Sequence, residues 1–282
     1  MRNTKGAQKI AFFFLFLATL LIVLPVGLIV VIIIQKGLPA INWQFLSDIP
    51  RQGMRSGGIF PAIIGTFYLV LGAIIFALPI GLLAAIYLSE YAKDNILNRI
   101  IKLAIVNLSG VPSVVYGLFG LALFVVFLKF GASILSGSLT LGIMVLPIII
   151  TTSREALESV PQSFRQVSLS LGVSKWQPIR HIVLPNAIPG ILTGTILGLG
   201  RAAGETAPIL FTVAAFYLPR LPKSIFDQAM ALPYHLYVIS TQVPNVDEKV
   251  RYGTALVLLF LVLFMNLVAI IIRYNFRKKK KW

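Results

Sequence analysis

The sequence contains no cysteine, which excludes disulfides, thiolate catalysis and cysteine metal centres. Charge is scarce as well. Only 12% of the 282 residues are charged, while 57% are hydrophobic. A soluble domain carries about 25% charged residues, so a bilayer accounts for this chain better than a soluble core does. Acidic residues are the scarcest: 9 Asp and Glu against 25 Lys and Arg leave a net charge of +16. In a soluble protein that balance would point to nucleic acid; here the basic residues are first to be set against membrane topology. The sequence lacks a GxxxxGK[ST] phosphate loop, an HExxH helix and a carboxylate-rich cluster. Its two histidines, His181 and His235, lie far apart, and His181 reads as a solvated loop residue.

What is present is a series of long apolar runs. Residues 10–34 follow Arg2, Lys5 and Lys9. That run is longer than the roughly 7–15 residues of a signal core and has no small-x-small cleavage site after it, so it reads as a first membrane helix. Further runs at 61–88, 103–128, 135–152, 191–217 and 252–272 are each long enough to cross roughly 30 Å of hydrocarbon at 1.5 Å per residue. The expected fold is an all-α polytopic membrane protein of six transmembrane helices, with residues 1–282 as one transmembrane domain. Pro79, Pro112, Pro147 and Pro208 fall in or near these runs, as membrane helices tolerate. The spacings Gly194-x-x-x-Gly198 and Gly200-x-x-x-Gly204 suit close helix packing.

The positive charges set an orientation. The N-terminus, the connections holding Lys93, Arg99 and Lys102 and holding Arg154, Arg165, Lys175 and Arg180, and the C-terminal tail together carry sixteen Lys and Arg; the alternate connections carry eight. This bias puts both termini and residues 153–190 in the cytoplasm. The run from Lys278 to Lys281 then reads as an anchor at anionic lipid rather than a nucleic-acid tail.

Residues 153–190 mix polar and apolar residues between two strongly apolar blocks. Ser163 can cap a short helix over residues 164–171, with Val167 and Leu171 on one apolar face. Gly172 suits a left-handed stop. Lys175, Trp176 and Ile179 begin a second helical piece that Pro185 ends. Such an elbow can fill a groove on a partner and transmit a push. Alternatively it lies on the bilayer surface as an amphipathic connection.

The spacing Gln166-Val167-Ser168, three residues, Gly172, nine residues, Ile182-x-Leu184-Pro185 resembles the EAA loop of bacterial ABC importer permeases. It departs from that pattern at its start, where Gln166, Val167 and Ser168 stand for Glu-Ala-Ala. Three further segments extend the resemblance: Gly57-Gly58-Ile59-Phe60-Pro61-Ala62-Ile63, Gly110-Val111-Pro112-Ser113-Val114-Val115-Tyr116-Gly117-Leu118-Phe119-Gly120, and Gly200-Arg201-Ala202-Ala203-Gly204-Glu205-Thr206-Ala207-Pro208. Together they resemble the phosphate-specific permease subunits of these importers, closest to the A-type. The resemblance implies a type I-like permease that binds no cofactor itself. ATP and Mg would be bound by a pair of ATP-binding subunits docked on the loop through Glu155, Arg165, Gln166, Ser168, Gly172, Lys175, Ile182, Leu184 and Pro185. It also implies a second related permease subunit, an extracytoplasmic phosphate-binding protein and a bacterial cytoplasmic membrane as the setting. A sulfate or molybdate permease would keep the loop but differ at the fifth-run motif. An ion-coupled secondary transporter would be expected to show midplane carboxylates or repeats, and only Glu205 qualifies.

Arg201 and Glu205 lie in an apolar run, where ionisable groups are costly and face an interior or a cavity. Four apart, they share a helix face. They form either a pair that fixes packing or a station on an anion path, for which guanidinium suits phosphate. Ser113, Tyr116 and Thr206 could add hydroxyls to that path, though hydroxyls in spans often serve only a backbone carbonyl.

Overall fold

The computed structural model describes residues 4–170 and 172–278. Arg2, Leu171 and Lys279 to Lys281, which figure in the expectations above, lie outside the described residues. The architecture is helical. Helix α1, Thr4–Gly37, is followed by the short α2, Trp43–Ser47, and a hairpin of β1, Pro50–Arg51, with β2, Ser56–Gly57. Then come α3, Phe60–Ile86, prolonged by a widened π turn at Tyr87–Tyr91; α4, Ile96–Leu108; α5, Ser113–Gly120, prolonged by a second wide stretch at Leu121–Phe127; and α6, Ile134–Glu158. The rest are α7, Gln162–Ser170; α8, Trp176–Pro178; α9, Leu184–Gly204, joined to α8 by wide turns at Ile179–Val183; α10, Ala207–Thr212; α11, Leu232–Thr241; and α12, Glu248–Lys278. Among the described residues five helices are long and apolar enough to cross a membrane, or six if α4 and α5 are one broken span.

The centre is α3 packed on α6, with α9 against both, α12 against α9 and α1 against α12. Leu69, Ala73 and Ala77 of α3 and Leu141, Met144, Val145 and Ile149 of α6 are each at most 1% exposed. Small residues set these spacings: a Cβ on Gly194 of α9 would collide with Thr152, and one on Gly81 of α3 with Ile149. Most of α1 presents Phe, Leu, Ile and Val outward, as a lipid-facing helix does. A second, smaller core of Ala85, Ile86, Leu157, Val160, Ile179, Val183, Ala187 and Ile191 closes the bundle at the end that carries α7.

Three expectations change. The run at 103–128 is not one helix: α4 and the stretch Ser113–Phe127 meet at 102°. Pro112 has no N–H for the Leu108 carbonyl, and proline disfavours helix in the residue before it; Ser109, Gly110 and Val111 instead close tight turns onto Val106, Asn107 and Leu108. Nor is 191–217 one helix. It starts earlier, at Trp176, and stops at Gly204, where Glu205 turns extended and Pro208 again withholds an N–H. Finally, Pro185 does not end the second loop helix. The wide turns at Ile179–Val183 make room for its ring, and the helix runs on as α9. The loop between the fourth and fifth membrane helices thus contracts to residues 159–175.

At the opposite end the chain between α10 and α11 folds back over the bundle. Ala215 and Ala229 pair through their backbones, the Ile134 N–H donates to the Asp227 carbonyl, and the Leu232 N–H donates to Thr66 Oγ1 at 2.7 Å. Asp227 accepts from the Lys223 and Ser224 N–H groups, which hold its carboxyl below the usual range.

Candidate functional site

Two places gather the expected residues. The first is the break in α9. Arg201 sits in the last helical turn, where a cation meets the carbonyl end of the helix. Glu205 follows the helix end in extended conformation, and its Oε1 lies 3.5 Å from Arg201 Nε. Their side chains are 29% and 19% exposed, so the pair lies in the wall of the bundle, within reach of its surface. At that distance the ion pair is loose, and among the described residues it is the only polar contact holding the guanidinium. The break brings α10 against α5: a Cβ on Gly117 would press on the Ala207 carbonyl and on Pro208. Arg201 thereby comes within electrostatic reach of Tyr116. Behind it, Gly200 faces the Asn266 amide of α12, whose Oδ1 is buried without a partner, and Arg273 of α12 donates to Thr193 Oγ1 at 3.0 Å.

The three hydroxyls fare differently. Tyr116 is buried and donates to the Leu108 carbonyl at 2.7 Å, the acceptor Pro112 cannot serve. Its hydroxyl is therefore spent on the bend between α4 and α5. Ser113 is half-buried at the start of α5, and Thr206, also half-buried, precedes α10 without capping it. Arg201, Glu205 and Thr206 lie together; Ser113 stands one turn before Tyr116 on the neighbouring helix.

The second place is the elbow around α7. Gly172 takes φ +74°, the left-handed stop expected there, with open space around it. Gln166 and Lys175 are exposed, and Val167 and Trp176 stand 64% and 45% exposed, an unusual display of apolar surface beside polar groups. Ser168 is buried and donates to the Phe164 carbonyl. Ile182, Leu184 and Pro185 are half-buried where α9 begins, and Leu184 packs on the second core. Glu155 is exposed on the last turns of α6. His181 is exposed, its Nδ1 3.0 Å from the Gln177 carbonyl.

Arg165 turns inward. Its Nε donates to Glu90 Oε2 at 3.0 Å and its Nη2 to Glu90 Oε1 at 2.7 Å, with side chains only 13% and 8% exposed. Beside this pair a cavity of about 310 Å³ is lined by Ser89, Glu158, Gln162 and Lys175 among others. Glu90 was missed from sequence, since 75 residues separate it from Arg165. Among the described residues no three His, Asp or Glu side chains gather where they could hold a metal.

Residues 77–282 match the family model described as the binding-protein-dependent transport system inner membrane component. Over 282 residues the chain is 34% identical to a probable ABC transporter permease protein, YqgI, of Bacillus subtilis, covering 95% of each. It is 32% identical to phosphate transport system permease protein PstA 1 of Mycobacterium tuberculosis, covering 99% of this chain and 91% of that one. Among solved structures, a bacterial ABC transporter importing the acidic polysaccharide alginate shares the fold, with TM-score 0.60 at 16% identity over 94% of this chain and 96% of its counterpart. The chain is a multi-pass membrane protein and belongs to the family of binding-protein-dependent transport system inner membrane components.

Proposed function

We propose that this chain is the permease subunit of an ATP-driven importer of inorganic phosphate, lining half of the path and receiving the force of ATP hydrolysis through α7. The observation that carries the substrate is the loosely held Arg201 guanidinium at the α9 break, in a chain whose full-length relatives include a phosphate transport permease. A planar fork of donors matches two phosphate oxygens at once, and a 3.5 Å contact to Glu205 leaves donors to spare. Glu205 holds Arg201 in place between cycles and yields when the anion arrives.

ATP and Mg belong to a pair of ATP-binding subunits docked on the exposed face of α7, with both termini on that same cytoplasmic side. A second, related permease supplies the other half of the path. An extracytoplasmic phosphate-binding protein delivers substrate to the opposite end, which includes the fold-back between α10 and α11. The single domain spans 1–282, and Ser113 and Thr206 line the approach to Arg201.

The test is Arg201→Ala in the complete complex reconstituted in proteoliposomes. ATP-dependent phosphate uptake is expected to fall by roughly 100-fold or more, while the subunits still co-purify. Uptake at the unsubstituted rate would refute the assignment of Arg201 to the path.

A further inference from the structure

Among the described side chains of α7 little apolar surface is buried. Val167 is largely exposed, and Ser168 is its one buried side chain among those described. Beyond the helix, Gly172 has nothing within 4 Å of where a Cβ would stand. The polar contacts that tie α7 to the bundle converge on Arg165. Besides its two bonds to Glu90, Arg165 donates from Nη1 to the Val160 carbonyl at 2.6 Å and from Nη2 to the Leu157 carbonyl at 2.9 Å. Both carbonyls lie at the end of α6 or just beyond it, where the Leu157 carbonyl also accepts the Val160 N–H at 3.3 Å. One planar group on α7 thus joins the end of α6 and the end of α3.

The attachment to α3 differs in kind from that to α6. The α6 acceptors are neutral carbonyls, and that of Leu157 keeps the Val160 N–H if Arg165 withdraws. Glu90 is 8% exposed, and its carboxylate is matched by the guanidinium fork through two parallel bonds. Removing the partner would strand a buried charge. Displacement of α7 must therefore carry Glu90 with it. Glu90 itself stands in the widened Tyr87–Tyr91 turn, a continuation of the helix that forms the centre of the bundle with α6. Wide turns of this kind interrupt regular helix packing and recur at functional sites.

We propose that Glu90 is the positioning residue through which movement of α7 is passed to the membrane helix α3, with Arg165 as the rigid link; this rests on reading the chain as an ATP-driven permease. The carboxylate is a mechanical coupling and touches neither substrate nor nucleotide.

The experiment uses the complete complex in proteoliposomes and reads phosphate moved per ATP hydrolysed. Glu90→Gln is expected to lower that ratio roughly tenfold or more. Because Gln leaves Arg165 buried without a counter-charge, a second variant, Glu90→Leu with Arg165→Leu, removes both charges together; it is expected to assemble and to lose the same coupling. A substrate-independent readout accompanies both. The absence of native cysteine lets a single spin label be placed at Gln162→Cys on α7 or at Leu83→Cys on α3. With Glu90 present, ATP should shift both labels; in either variant only the label at 162 should respond. A wild-type ratio in both variants, a retained response at 83 in either, or an α7 label that never responds would each overturn the proposal. A complex that moves no phosphate yet shows the label pattern would instead overturn the phosphate reading and leave the coupling role standing.

Discussion

His235 makes the stability of the fold depend on pH in a calculable way. It lies on α11, outside the membrane-spanning helices, and is 3% exposed among Leu232, Tyr234, Val238 and Ile239. Its Nδ1 is buried without a partner. Burial pushes its pKa down from 6.5 to about 4, because a proton there would place a charge in apolar surroundings. The unfolded chain therefore binds a proton between pH 6.5 and about pH 4 that the folded chain refuses. Stability is unaffected above pH 6.5, falls as pH drops through that window and levels off below about pH 4. At about 1.4 kcal/mol per pH unit the window amounts to about 3 kcal/mol. The assay is thermal unfolding of the purified chain in detergent across this range, beside His235→Leu. Carboxylates such as Asp48, Asp227 and Asp247, whose hydrogen bonds hold them below the usual range, lose stabilising contacts in acid in both proteins and cancel in the difference. The wild-type protein is expected to lose about 3 kcal/mol more than the variant on going from neutral pH to about pH 4. Parallel profiles would refute the assignment of a buried, neutral, unpartnered imidazole.

Three further substitutions have defined outcomes. Gly65→Ala drives a methyl into the Met230 carbonyl and should destabilise the fold by about 1–3 kcal/mol, read as a lowered unfolding temperature; an unchanged temperature would contradict the close approach of α3 to the chain before α11. Tyr116→Phe removes one of two donors to the Leu108 carbonyl, the other being the Val111 N–H. It should cost about 1 kcal/mol and leave the affinity for phosphate untouched, whereas a weakened affinity would return the hydroxyl to the substrate path. Asp227→Asn weakens acceptance from the Lys223 and Ser224 N–H groups, so limited proteolysis should cut faster between α10 and α11; unchanged cutting would show that the backbone contacts alone hold the fold-back.

The membrane helices were legible because an apolar run long enough to span a bilayer has few other uses. Their interruptions were not, because proline alone does not decide them. At Pro79 the helix continues, seated by Ala77 and by Gly81 against Ile149. At Pro112 a Cβ on the neighbouring Gly110 would meet only the Asn107 carbonyl of the preceding helix among the described residues, and the axis bends by 102°. Packing with distant segments makes the difference, and no local pattern encodes it. The elbow was partly legible: Gly172 stops the first helix as its spacing suggests, while the wide turns that carry the second helix past Pro185 leave no mark in composition. Arg201 and Glu205 were paired by their four-residue spacing, and they do meet, although Glu205 lies beyond the helix that was expected to hold both. The Glu90–Arg165 pair had no local signal, since its two halves belong to different connections in the chain.

The central claim is that a bundle with an external motor moves phosphate past Arg201. Its most direct measurement is uptake of radiolabelled phosphate into proteoliposomes holding this chain with its ATP-binding, permease and binding-protein partners. Uptake that requires ATP, stops with Arg201→Ala and is not displaced by excess sulfate is the predicted result. Uptake driven by an ion gradient with the ATP-binding subunits absent, or sulfate carried in place of phosphate, would contradict it.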